Sequence, residues 1–123
     1  MQSNKTLLRW YRFINRRFFD GACPDSVLVR WANPTEDGER QWEEKYYGGA
    51  IKLADSWHEW EIVISKKKNK GWTQILATLA HEMCHLATQC RDDHGPAFSA
   101  WHEHLTVRGL FRKGALHKGV TIF

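Results

Sequence analysis

The chain has 123 residues, 42% of them hydrophobic, a length that suits one domain and is short for two. No run approaches the ~18 apolar residues of a membrane span, so neither an integral membrane protein nor a membrane partner is expected. The net charge is +4, and three cysteines (Cys23, Cys84, Cys90) without a C-x-x-C pair exclude a disulfide scaffold and a zinc ribbon.

The first 19 residues carry Lys5, Arg9, Arg12, Arg16 and Arg17, no acid, no apolar run and no small-residue cleavage site. The expectation is an intracellular protein, cytoplasmic or nucleoid-associated and not secreted. Residues 3–19 read as an amphipathic helix. Leu7, Tyr11, Ile14 and Phe18 share one face, and Lys5, Arg9, Arg12 and Arg16 share the opposite one. Asn4 or Ser3 can cap it, and Asp20-Gly21 ends it.

Residues 27–31 form a short strand candidate. Asn33-Pro34 opens a polar, acidic stretch, read as a loop to about Glu44. Residues 46–53 read as a second strand, and Gly48-Gly49 inside it signals a bulge or a close backbone approach. Residues 60–65 form a third, with Ile62 and Ile64 on one face. Lys66, Lys67, Lys68 and Lys70 follow in a basic turn.

Residues 72–89 carry the longest helical pattern. A last helix runs over residues 97–107, opened by Gly95-Pro96, with Phe98, Trp101 and Leu105 on one side. Residues 107–123 read as a tail or an edge strand.

Residues 81–85 read His-Glu-Met-Cys-His, an H-E-x-x-H motif. On a helix, positions i and i+4 lie one turn apart on one face, so His81 and His85 can direct imidazole nitrogens at one tetrahedral Zn²⁺. Glu82 is displaced by about 100°, which puts a carboxylate beside the metal, where it can take a proton from bound water. On the helical wheel Gln74, Thr78, His81, Glu82, His85 and Gln89 fall within about 100°. The apolar residues fall on the other side, so the motif lies on the one polar stripe of a buried helix and is expected to open on a cleft.

A catalytic site needs a third protein ligand. His94 leads, in front of Gly95-Pro96; Glu103 is the rival, and His102 and His104 lie beside it. Cys84 reads as a small buried residue. Among the tryptophans, Trp10, Trp31 and Trp101 read as core, and Trp57 and Trp60 as an exposed platform.

His81-Glu82-Met83-Cys84-His85 followed by His94-Gly95-Pro96-Ala97-Phe98 resembles the SprT-like family of zinc metalloproteases, which includes the Spartan proteases that act on DNA–protein crosslinks. The paired elements are more specific than H-E-x-x-H alone. The similarity is strong over residues 72–98 and looser over 3–107. The resemblance implies an α+β, zincin-like fold: a small three-stranded sheet packed against an N-terminal helix and an H-E-x-x-H helix, in a single domain over 1–123. It implies that His81, His85 and His94 bind zinc and that Glu82 is the general base. It also implies a protein or peptide substrate, in many relatives one bound to DNA.

Single-stranded DNA is then a candidate partner, through Lys5, Arg9, Arg12, Arg16, Lys66, Lys67, Lys68 and Lys70. The expected protein is a monomeric zinc endopeptidase. Two alternatives are a non-catalytic nucleic-acid-binding domain with a structural zinc, and a zinc peptidase unrelated to DNA with Glu103 as third ligand. The tetrahedral oxyanion has four candidate partners, Tyr46, Tyr47, His102 and His104.

Overall fold

The computed structural model describes residues 2–53, 58–91 and 93–110. In chain order these form α1 (Lys5–Phe18), β1 (Val27–Trp31), α2 (Asp37–Glu43), β2 (Gly48–Lys52), β3 (Trp60–Ile64), α3 (Trp72–Ala87) and α4 (Pro96–Val107). The class is α+β, with a three-stranded mixed sheet and four helices among the described residues. Most of the stretch expected as a C-terminal tail or edge strand, residues 111–123, lies outside them, as does Trp57.

α1 starts where Asn4 Oδ1 accepts the Leu7 N–H at 3.0 Å, a side-chain cap for an otherwise orphaned donor. It ends at Asp20 and Gly21, both with positive φ. Leu7, Tyr11 and Ile14 are buried, while the five cations stand in solvent.

The sheet order is β1-β3-β2. β3 is central, parallel to β1 and antiparallel to β2. Register places Val29, Ile62 and Ala50 in one row and Arg30, Val63 and Gly49 in the next, which point to opposite faces. α1 and α3 pack against the first face. Leu7, Tyr11 and Ile14 of α1 meet Val29, Ile62, Ile64, Leu79 and Met83 there in one core, closed at the end of α3 by Phe98 and Leu105 of α4.

The acidic stretch after Pro34 is not wholly a loop, for it contains α2. Gly38 and an excess of polar side chains leave no apolar stripe to read from sequence. Tertiary contacts hold α2 instead. Arg30 of β1 donates to both Glu39 oxygens at 2.8 and 3.1 Å, and buried Glu43 accepts from the Ser65 hydroxyl at 2.8 Å.

The two outer edges of the sheet differ. The β1 edge is covered, because Asn4 N–H donates to Val29 O at 2.8 Å and Val29 N–H to Ser3 Oγ at 3.0 Å. On the other side, Ser65 N–H donates to Tyr47 O and Leu53 N–H to Glu59 O, so the odd residues of β2 bond β3. Gly48, Ala50 and Lys52 therefore turn their backbone groups outward. Cys90 Sγ lies 3.9 Å from one of them, Ala50 O.

Candidate metal centre

The H-E-x-x-H motif lies on α3. Its polar stripe borders a cleft, as expected, but the centre of the stripe is buried. Thr78 and Glu82 are wholly buried, and His81 and His85 retain 7% and 5% of their exposure. The reason is that the stripe packs against the start of β2 on one side and α4 on the other. Cys84 is buried as expected, and the described cysteines are all free. Burial pushes both the Cys84 and Cys23 thiols well up.

One atom row makes the packing against β2 possible. A Cβ at Gly48 would stand 2.7 Å from Thr78 Cγ2, 3.2 Å from Val63 O and 3.3 Å from Glu82 Oε2. The glycine pair thus marks a close approach and not a bulge, since the β2–β3 register runs unbroken. A hydrogen-bond chain fixes the approach. Thr78 Oγ1 donates to Asn69 Oδ1 at 2.6 Å, and Asn69 Nδ2 donates to Tyr47 O at 3.0 Å and to Ser65 O at 2.6 Å. Sequence reasoning missed Asn69, because its partners lie 22 and 9 residues away in the chain.

His94 follows α3 after a tight reversal in which Gln89, Cys90 and Asp93 all have φ between 51° and 55°. That reversal brings its ring back to α3. One ligand nitrogen each from His81, His85 and His94 lies within 4.8 Å of the others, and the Nε2 atoms of His81 and His94 are 3.3 Å apart. Metal–nitrogen bonds of about 2.0–2.1 Å in a tetrahedron put ligand nitrogens about 3.3–3.4 Å apart. The cluster could hold a metal ion.

Phe98, one turn into α4, is the common neighbour. Its ring centroid lies 4.8, 4.6 and 4.9 Å from those of His81, His85 and His94. The motif position of Phe98 pointed to it, and the structure shows what its ring touches.

Glu82 stands beside the cluster. Neither carboxylate oxygen has a hydrogen-bond partner among the described residues. Burial pushes this carboxyl well above the ordinary carboxylate range. A wholly buried carboxyl with no internal partner is costly, which suits a group that deals with a ligand. The donor set fits as well, since three imidazoles and an adjacent uncoordinated carboxylate match an open zinc site.

Glu103 is not in the cluster; it is exposed and borders the same depression as His94 and His102. His102 does come near, with its ring centroid 6.2 Å from that of His81. His104 packs instead on Trp101 at 5.5 Å, and the Tyr47 ring lies under Lys68.

The basic residues separate into two groups. Lys5, Arg9, Arg12 and Arg16 are exposed on α1, and no ion pair holds them among the described residues. Lys66 instead stands over the Trp31 ring, Lys68 over Tyr47, and Lys70 Nζ donates to Lys67 O. The tryptophan assignments need two corrections. Trp60 is buried on the core face of β3, so it is no platform. Trp10, expected in the core, is 36% exposed and meets Phe13, 42% exposed, edge to face at 5.9 Å. Both stand beside the apolar stripe of α1 and not on it.

The cleft beside the cluster runs from Glu82 and His85 past β2 toward α2, with a cavity of about 420 Å³. There the Arg30 hydrogen bond, together with the Asn33 N–H, holds the Glu39 carboxyl below the ordinary range. No described helix is long and apolar enough to cross a membrane.

The family model described as SprT-like family matches residues 7–115. No curated protein and no solved structure matches the chain.

Proposed function

The chain belongs to the SprT-like family, which is generally associated with metallopeptidase-like proteins, and from that premise we propose that it is a zinc-dependent endopeptidase with a zincin-like site. The observation that carries this is the convergence of His81, His85 and His94 beside a buried carboxyl without an internal partner. His81, His85 and His94 would hold the ion. Zinc, when bound, supplies a Lewis acid and brings the pKa of its water toward ~7.

The remaining work falls to the chain. Core packing of α3 fixes His81 and His85 one turn apart, and Phe98 limits how all three rings tilt. Glu82 holds the proton taken from water at its carboxylate and returns it to the leaving amine. An extended peptide adds to the outward backbone groups of Gly48, Ala50 and Lys52, which gives affinity with little demand on sequence. His102, whose ring centroid lies 6.2 Å from that of His81, is the group assigned to the tetrahedral oxyanion.

The test is Glu82→Gln. Hydrolysis of an unfolded protein substrate is expected to fall about 10²–10⁴-fold with zinc content unchanged. Equal hydrolysis by both proteins defeats the mechanism. A structural zinc site has no use for Glu82, so the same variant decides against the non-catalytic alternative.

A second reading concerns nucleic acid, and α1 favours it. At about 100° per residue, Trp10, Phe13, Arg9, Arg16, Lys5 and Arg12 occupy one continuous exposed arc opposite Leu7, Tyr11 and Ile14. Cations for phosphates interleaved with exposed rings for bases suit single-stranded DNA, with proteins bound to it as substrates. The Lys66–Lys70 run would extend that surface only after leaving its present ring contacts. Binding of a fluorescent oligothymidylate is expected to weaken with salt and with Trp10→Ala; indifference to both removes DNA from the function.

A further inference from the structure

We infer that the cavity between β2 and α2 is the pocket that selects the substrate, and that it receives one large apolar side chain next to the bond being cut. This rests on the endopeptidase reading and adds to it the class of peptide preferred. The cavity, about 420 Å³, opens beside Glu82 and His85, so a chain lying across the histidine cluster passes its mouth. The same chain, paired to the outward groups of Gly48, Ala50 and Lys52, runs along its rim. Strand addition alternates side chains, so one of them is directed inward.

The walls decide what enters. Trp42, Gly49, Ala50, Ile51 and Val63 supply carbon surface. Ile51 is half exposed beside the opening, an apolar side chain in water until a substrate covers it. Two of the lining charges, Arg30 and Glu39, satisfy each other at the α2 end, while Glu82 and Asp93 stand beside the histidines. Arg30 donates to Glu39 at 2.8 and 3.1 Å and to Glu61 at 3.2 Å. A carboxylate entering the cavity would find its one nearby cation shared by two acids. A lysine entering toward α2 would leave water for a wall whose acid, Glu39, is engaged by Arg30. Either carries a desolvation cost that an apolar side chain does not.

The size argues for Phe, Leu or Met over Ala, and the position of Gly49 shows how the size is kept. Gly49 ends the cross-strand row of Arg30 and Val63 on the α2 face and lines the cavity with no side chain of its own. Its φ is not in the left-handed region, so a larger residue can occupy the position without backbone strain.

The experiment uses the zinc-loaded full chain, wild type and Gly49→Val, on reduced and alkylated casein, with cut sites mapped by mass spectrometry. In the wild type, one position flanking the cut is expected to favour Phe, Leu and Met over Asp, Glu and Lys by about 10-fold or more. Gly49→Val is expected to move that preference to Ala and Ser. Cuts flanked equally by charged and large apolar residues overturn the pocket while leaving the peptidase intact. Absence of any cutting overturns the peptidase reading, and the pocket is then judged by binding. N-acetyl-phenylalaninamide and N-acetyl-glutamate amide are titrated into both proteins by NMR, metal-free and zinc-loaded. Shifts at Ala50, Ile51 and the Trp42 indole, with the phenylalanine probe alone and lost in Gly49→Val, support the pocket. Shifts with neither probe, or equal shifts with both, overturn it.

Discussion

His81 and His85 are held by a helix whose whole central turn is buried, whereas His94 reaches them from a surface reversal and keeps 40% of its side chain exposed. On the α3 side, hydrophobic burial fixes ligand positions as a by-product of forming the core. On the α4 side, three left-handed residues and one aromatic contact, Phe98, do the positioning. Two ligands and the base are therefore preorganised by folding, while the third depends on a segment that folding stabilises weakly. A metal ion held by all three would tie the weak segment to the strong one.

The largest expected effect separates the two sides directly. Loss of a proposed ligand should exceed the 10–100-fold cost typical of its supporting contacts, so His94→Ala is expected to lower zinc affinity by more than about 100-fold. Its metal-free stability should stay within about 0.5 kcal/mol of wild type. His81→Ala should lose zinc and also destabilise the metal-free fold. Zinc titration calorimetry and thermal melts in chelator measure both; equal melting losses would erase the contrast.

Gly48→Ala probes the buried side without touching a histidine. The added methyl overlaps Thr78 and crowds Glu82, and overpacking of this kind costs about 1–3 kcal/mol. Urea denaturation should show that loss with zinc stoichiometry retained. A neutral outcome means that the β2–α3 approach is softer than its distances indicate.

Glu82→Gln, studied without metal, tests the same side through pH. Burial raises the folded carboxyl above its ordinary 4.5. Below pH 4.5 both folded and unfolded forms are protonated, and wild type and variant should differ little. As pH rises toward the folded value the unfolded chain ionises first, so wild-type stability falls and the variant's does not. The gap should open by about 1.4 kcal/mol for each pH unit between 4.5 and the folded value. A gap that is constant from pH 4 to 7 contradicts the assignment.

The smallest effect belongs to the exposed side. Gln89 has φ 55°, which glycine adopts without the clash of a Cβ. Gln89→Gly is expected to stabilise the reversal by about 0.5 kcal/mol, read in thermal melts and in slower amide exchange at residues 89–91. Faster exchange there would mean that the turn owes its shape to His94 packing and not to its own backbone.

Much of this arrangement was legible in the chain. The periodicity of α1 and α4 survives because each buries one stripe, α3 keeps its apolar residues in the core although its central turn is buried all round, and the i, i+4 spacing of His81 and His85 follows from helix geometry alone. β1 was read to the residue, for an apolar run bounded by turn residues leaves little choice. α2 was not legible, because its stability comes from Arg30 and Ser65, which lie outside it. Trp10 was misassigned because a residue at the border of a stripe is placed by its neighbours in space, whereas Trp60 shares the alternation of Ile62 and Ile64 and so belongs to the core face.

By itself the sequence determined the helix that carries the motif, the presence of Glu82 one residue from its histidine, and the glycine pair where two backbones meet. Only the tertiary structure decided that His94 and not Glu103 joins His81 and His85. It also decided that the centre of the polar stripe is buried and that, among the described residues, no strand pairs with the outer edge of β2. Helical spacing is a local property of the backbone, written in each turn. Convergence of a loop, a sheet edge and a missing Cβ is a long-range property, set by how the whole chain closes on its core.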